Sequence, residues 1–383
     1  MEQHTLRRRG TGLRGVDQDK PTWCRQMEQK RTAGPCRTAQ AGTAASSPTA
    51  TSPTTGVHPD APHLFPMWSK YRGGMMLQVD PHGKIQKQYS DPYAHHDQNH
   101  LDDGTILYTT LEPLTPAEAA RVRGGIPGSE APDGKIYADC IKLVDPWSVS
   151  NTSSSADFEG AGTGGAKLLW SWRAIDHLDG EDFAAHQHYP REHWPLINSV
   201  SFDSEGNIIA SSRNASSVFV ISRANGEVLW RIAAPTVCQQ HCAHQINEEG
   251  DMLVLDNGVF RPGLAMPFSR AIVVSKDKQV KWEYKDRSTG GLGFFTPFMG
   301  SAQKLGNGNF LICEAATGRV IEVTADGEMA WEFVVPHLQD YKAVMDQQEL
   351  AQMEAIGFSY QSNAIFRAYK YLPEEIPWLQ KEK

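Results

Sequence analysis

Four chemically capable side chains crowd the stretch VCQQHCAHQ: Cys238, His241, Cys242 and His244. A closed structural zinc site would need four ligands, usually as two clustered pairs, and the next cysteine downstream, Cys313, has no neighbour to pair with. Neutral imidazole has other uses, as a nucleophile or as an acid–base group near neutral pH. A second histidine-rich run, His95-His96-Asp97, and several arginines that could hold an anion (Arg213, Arg261, Arg270, Arg319) lie far from it in sequence. Asp176-His177 reads as an exposed turn.

What could bring these residues together is a repeat. Four short alternating runs end in tryptophan: KLLWSW at Trp170, EVLWRI at Trp230, QVKWEY at Trp282 and EMAWEF at Trp331, with gaps of 60, 52 and 49 residues. Before the last three lies a further strand and a tight turn, as in SSVFVISRANGEVLW, which is hairpin patterning. In all four repeats another hairpin comes first: HHDQNHLDDGTILYTT, INSVSFDSEGNIIASSRN, QHCAHQINEEGDMLVLDNG and GSAQKLGNGNFLICEA. Four strands per unit, recurring, predict an all-β β-propeller of four-stranded blades, five by count and six if the region after Trp331 holds more strand. SNAIFRAYKY (362–371) reads as another innermost strand, and GMMLQVDPHGKIQKQY (74–89) as an outer pair lacking one. The two predict a blade closed by N- and C-terminal strands. A β-sandwich would explain the alternation but not the recurring tryptophan.

Antiparallel pairing puts the start of each innermost strand and the end of its return strand on one face. Aligning the repeats on Leu101, Phe202, Ile246 and Leu305 gathers His95, His96, Asn198, His241 and Gly300 at the channel mouth. Arg213-Asn214, Asp256-Asn257, Arg261 and Glu314 join from the return strands, and Arg270 and Arg319 from the third strands. Cys238 and Cys242 read as packing residues, and His244, three residues past His241, faces away in a regular strand. Polar groups converging in one concavity form a binding site by default.

The rest of the chain sets limits. A net charge of −8 over 383 residues argues against a general nucleic-acid partner. The sequence contains no run as long and apolar as a membrane span, so a soluble protein is expected. Six scattered cysteines imply no disulfide framework. Residues 1–65 are basic at first and then rich in Ser, Thr, Ala and Pro, so a disordered tail is expected before a domain over 66–383. The tail lacks the apolar core of a secretory signal. Residues 148–167 read as a flexible loop, and Asn151 and Asn214 sit in N-x-S/T sequons.

Taken in order, HHDQNHLDDGTIL, LWSWRAIDHLD, INSVSFDSEGNIIASSRNASSVFVI, QQHCAHQINEEGDMLVLDNG, GSAQKLGNGNFLICEAATGRVIEVT and NAIFRAYKY resemble the arylsulfotransferase-like propeller family over about residues 68–380. The resemblance implies transfer of a sulfuryl group from an aryl sulfate ester to a phenol through a histidine, without a nucleotide donor or other cofactor. His241 matches a family active-site histidine and Arg261 the arginine after it. His96 is the second catalytic candidate, and Arg213, Asn198, His95, Asn257 and Arg319 are candidates for substrate binding. The chain departs from the family at Leu196, where relatives carry histidine, and at GSAQ, which has none. Two alternatives stand beside this reading: a metal-assisted hydrolase or lyase using His96, His241 and Asp97 with a divalent ion, and a non-catalytic propeller that binds a ligand or protein.

Overall fold

The computed structural model describes residues 52–57, 73–147, 166–264, 266–285, 293–340 and 361–376, with helical positions at 347, 350 and 351. Three sheets carry the repeat in its simplest form, each with its strands ordered as in the chain. They are β11–β14 (Ile197–Phe202, Ile208–Ser212, Ser217–Ile221, Val228–Ala233), β15–β18 (His241–Gln245, Met252–Asp256, Arg270–Val274, Val280–Lys285) and β19–β22 (Ser301–Lys304, Phe310–Glu314, Arg319–Val323, Met329–Val334). Ahead of them come β4 (Ala94–His100), β5 (Ile106–Pro113), β7 (Tyr137–Asp145) and β8 (Lys167–Arg173). This blade has one extra strand, β10 (His193–Trp194), running parallel to β7. A further sheet holds β1 (Ser52–Val57), β2 (Gly74–Val79) and β3 (Ile85–Ser90). Two short pairs complete the described strands: β6 (Gly124–Ile126) with β9 (Ala185–Pro190), and β23 (Gln339–Asp340) with β24 (Gln361–Ser362).

The middle strands are buried on both faces, which is why their sequences run apolar without alternation: SVFVI in β13 is buried throughout. Hydrophobic clusters lie between neighbouring blades. One joins Leu107, Ile141 and Trp172 to Ile208 and Phe219, a second joins Ile209 and Val218 to Val254 and Ile272, and a third joins Leu253 and Val273 to Phe310 and Ile321. Tight turns fall where the Asp-x-x-Gly runs predict them: Asp203 Oδ1 accepts from the amides of Glu205 and Asn207 at 2.9 and 2.8 Å, and Gly206 takes φ +81°.

The recurring tryptophans fasten each blade to its successor. Trp170, Trp230 and Trp282 donate their indole N–H to the carbonyls of Arg223, Lys276 and Ala325, at 3.0, 2.7 and 2.8 Å. Trp331 is different: it is 49% exposed and stacks on Phe333 of its own strand.

Among the described residues the strands make a β-propeller of five blades. Residues 363–370 bridge β19 and β4, but not as the expected innermost strand of the blade holding 74–89: they are not part of a strand ladder, and the edge of β2 is taken by β1. They run beside β19 through Ser301 Oγ to the Ala368 carbonyl and Gln303 Nε2 to the Lys370 carbonyl, as β11 meets β15 through Ser201 Oγ and the Ala243 carbonyl. The partner of β2 opposite β3 is β1, which lies within the stretch 1–65 read as a tail. The rest of that stretch, and residues 148–165 of the expected loop, fall outside the described residues; Lys167 already belongs to β8.

Candidate functional site

Each innermost strand begins with an irregularity. Register shifts fall at His95/Gln98 in β4, Ile197/Ser199 in β11 and His241/His244 in β15. Non-glycine residues with positive φ stand at or just before four inner strands: His96 (47°), Leu196 (62°), Cys242 (53°) and Met299 (58°). A bulge re-aims side chains, and backbone held in a costly conformation clusters at functional sites. The bulge lies between His241 and His244, so simple alternation does not relate the two, and His244 Nδ1 lies 3.3 Å from the Cys242 carbonyl.

Two groups of residues face the channel. In the first, Asp139 of β7 is fully buried, and its Oδ1 lies 3.1 Å from both His95 Nε2 and His193 Nε2. Its Oδ2 accepts the Ile197 amide at 3.0 Å. His95 Nδ1 lies 2.8 Å from His96 Nδ1. Burial alone would raise the Asp139 carboxyl, but His193 and His95 outweigh it and hold it at about 2, so the group is an anion. An anionic acceptor draws a hydrogen onto each Nε2, in hydrogen-bond geometry from His193 and at ion-pair distance from His95. His95 Nδ1 is then a lone pair, His96 Nδ1 must carry the hydrogen, and the His96 lone pair sits at Nε2. Burial, with His95, His193, His241 and Arg213 adding to it, pushes His96 well below the usual imidazole range, so it is neutral at neutral pH.

In the second group, His241 Nδ1 lies 2.7 Å from Asn257 Oδ1. The amide of Asn257 cannot flip, because its Nδ2 donates to the carbonyls of Thr296 at 2.7 Å and Met299 at 2.9 Å. His241 therefore donates from Nδ1, and its Nε2 accepts the Met299 amide at 3.2 Å. Burial and the charges of Arg213 and Arg367 lower it to about 3.

Phe366 stands between the groups, its ring centroid 6.3 Å from that of His96 and 6.4 Å from that of His241. Next to it, Arg367 makes a buried bidentate pair with Asp97 (2.8 and 3.1 Å) and donates to the Asn198 carbonyl at 3.0 Å. With Asp97 held in that pair, the proposed metal set of His96, His241 and Asp97 does not converge; the donor cluster present is His95, Asp139 and His193. Asn198 is buried and donates to the Gln240 carbonyl at 2.8 Å.

The arginines divide. Arg213 lies 4.5 Å over the Tyr189 ring, and its charge reaches both His96 and His241. Arg261 instead binds Asp256 Oδ2 and the Pro235 carbonyl. Arg319 pairs with Glu314 at 3.1 Å and with Glu332 at 2.5 Å, so it braces β21. Asn214 is buried and donates to the His193 carbonyl at 3.1 Å, which removes its sequon from the surface.

Sequence reasoning missed Asp139, His193, Phe366 and Arg367. His193 is the informative one. It comes in on the extra strand β10, three residues before Leu196, and brings an imidazole within 6.4 Å of His96.

A sequence model of the family described as Arylsulfotransferase (ASST) matches residues 72–335. No curated protein matches the sequence. Among solved structures, a protein of unknown function from Bacteroides caccae is 13% identical with a TM-score of 0.42, over 74% of this chain and 77% of that one. A virginiamycin B lyase from Staphylococcus aureus is 12% identical with a TM-score of 0.38, over 81% of this chain and 72% of that one.

Proposed function

This chain belongs to the arylsulfotransferase (ASST) family, and on that premise we propose that it moves a sulfuryl group from an aryl sulfate ester to a phenol through His96. The observation that carries the assignment is the chain Asp139–His95–His96, which fixes the nucleophilic lone pair on His96 Nε2 and leaves an anion to answer the charge that develops. His241 was the first candidate from sequence. In the structure its own Nε2 already accepts the Met299 amide, and a neutral amide backs it.

In the proposed step the Nε2 lone pair of His96 attacks sulfur, the S–O bond to the aryl group breaks, and the phenolate leaves with the bonding pair. The sulfurylated ring is then cationic, with its Nδ1 hydrogen still pointing to His95. The incoming phenol then attacks the same sulfur, the N–S bond breaks with its pair returning to His96 Nε2, and the phenolic hydrogen passes through solvent to the departed phenolate. The protein ends unchanged and the protons balance. Arg213 offers a planar fork for the sulfate oxygens, which stay anionic throughout, and Phe366 a face for the ring.

The test is a chromogenic aryl sulfate with a phenolic acceptor, together with mass mapping of the stalled protein when acceptor is withheld. Transfer with a sulfuryl group on His96 is the expected result. Turnover with the group on His241, or intact aryl sulfate binding with no turnover, would sink the assignment.

A further inference from the structure

We propose that His95, Asp139 and His193 form a binding site for a divalent transition-metal ion of the zinc type, taken through His95 Nε2, His193 Nε2 and Asp139 Oδ1. The three donor atoms come from three separate elements, β4, β7 and β10, and all lie within 4.8 Å of one another. Each imidazole nitrogen stands 3.1 Å from the carboxylate oxygen. Two ligands about 2.05 Å from a tetrahedral zinc are roughly 3.3 Å apart, so both carboxylate–imidazole edges already have the spacing of such a site, and the third edge is within 4.8 Å. Among the described residues this is the one group of three such donors.

The surroundings are those of a metal site as well. The second carboxylate oxygen is fixed by the Ile197 amide, and the other nitrogen of His95 is held by His96; outer partners of this sort orient ligands and are part of their affinity. Two imidazole nitrogens and one carboxylate oxygen favour zinc or a similar ion over magnesium or calcium, which want oxygen. Three protein ligands leave a position for a further one. The strand β10 gives the idea its structural weight: it has no counterpart in the β11–β14, β15–β18 or β19–β22 sheets, and it delivers His193 to Asp139.

Metal and transfer would exclude one another. An ion on His95 Nε2 moves that ring's hydrogen to Nδ1, which donates to His96 and puts the His96 hydrogen on Nε2, where the transfer reaction needs the lone pair.

The experiment is calorimetric titration of the full chain, stripped with chelator, with zinc chloride, and the visible spectrum of the cobalt(II) form. One equivalent should bind, and cobalt should give the intense bands of four-coordinate geometry. Since losing an outer partner alone costs roughly 10–100-fold in affinity, His193→Gln and Asp139→Asn should each weaken binding by more than about 100-fold. His186 and His188 form an exposed pair, with Nδ1 atoms 3.3 Å apart, that could hold zinc adventitiously. His186→Gln/His188→Gln should therefore keep the equivalent. Circular dichroism checks that each variant folds, and His193→Gln suffices if Asp139→Asn does not. No uptake by the parent chain, or loss of binding only in the His186/His188 variant, overturns the proposal. Neither result bears on sulfuryl transfer, which is read separately with the aryl sulfate.

Discussion

His96 and His241 are backed in opposite ways. Behind His96 stands an anion: Asp139, through His95, with His193 on the same carboxylate oxygen. Behind His241 stands a neutral amide, Asn257, itself tied to two carbonyls. Both arrangements fix which nitrogen carries the hydrogen. The first also supplies charge, so a positive ring on that side is compensated inside a low-dielectric site. The second gives orientation alone, and burial lowers both imidazoles. Position and charge are thus separate contributions, and this channel holds an example of each.

The sharpest break in that comparison is His96→Asn. It keeps size and polarity but cannot hold a sulfuryl group, so transfer from an aryl sulfate should fall by about 10³ or more while the melting curve stays put. His241→Asn should cost less, about tenfold, since both of its ring nitrogens are already held, by Asn257 and by the Met299 amide. If the two losses come out in the reverse order, the nucleophile has been placed on the wrong side. Asp139→Asn keeps the hydrogen-bonding shape and removes the charge; a loss of roughly 10–100-fold in transfer is expected. An unchanged rate there would mean that the anion is irrelevant and the two sides differ in name alone.

The pH dependence of stability sharpens the contrast further. His241 titrates at about 3 when folded against 6.5 for its ordinary value, so between these the unfolded chain binds more protons. Stability is therefore lost progressively as pH falls below 6.5 towards 3, and His241→Asn should flatten that part of a Tm-against-pH curve. The smallest effect on catalysis belongs to Arg261→Lys. Its guanidinium binds Asp256, so transfer should stay within about twofold while Tm drops, because lysine cannot reproduce the planar fork.

Much of the fold was legible because strands announce themselves locally. Turn residues, alternation and the spacing of four tryptophans needed no tertiary information. The first strand, SPTTGV, was hidden by composition: it is poor in large apolar residues, and its pairing with β2 is what makes it a strand. At the site, residues at strand starts could be aligned from the repeat, and His95, His96, Asn198 and His241 were found in that way. Asp139 and His193 could not be, since one lies mid-strand in YADCIKLVD and the other in a strand that the neighbouring repeats lack. Arg261 shows the opposite failure. An arginine near a candidate histidine looks like an anion clamp in sequence, and an acid already placed beside it, Asp256, decides otherwise.

The tryptophan fastenings have an orientation in time. Trp170, Trp230 and Trp282 each reach forward, to carbonyls 53, 46 and 43 residues later in the chain. On a ribosome the chain emerges N-terminus first, so each of these three blades waits for the one synthesised after it before its outer edge is secured. The pair between Arg367 and Asp97, 270 residues apart, comes last. Assembly is thus vectorial, and a nascent chain halted before residue 367 should leave the leading blades formed and the ring unsealed, as limited proteolysis of stalled chains would reveal.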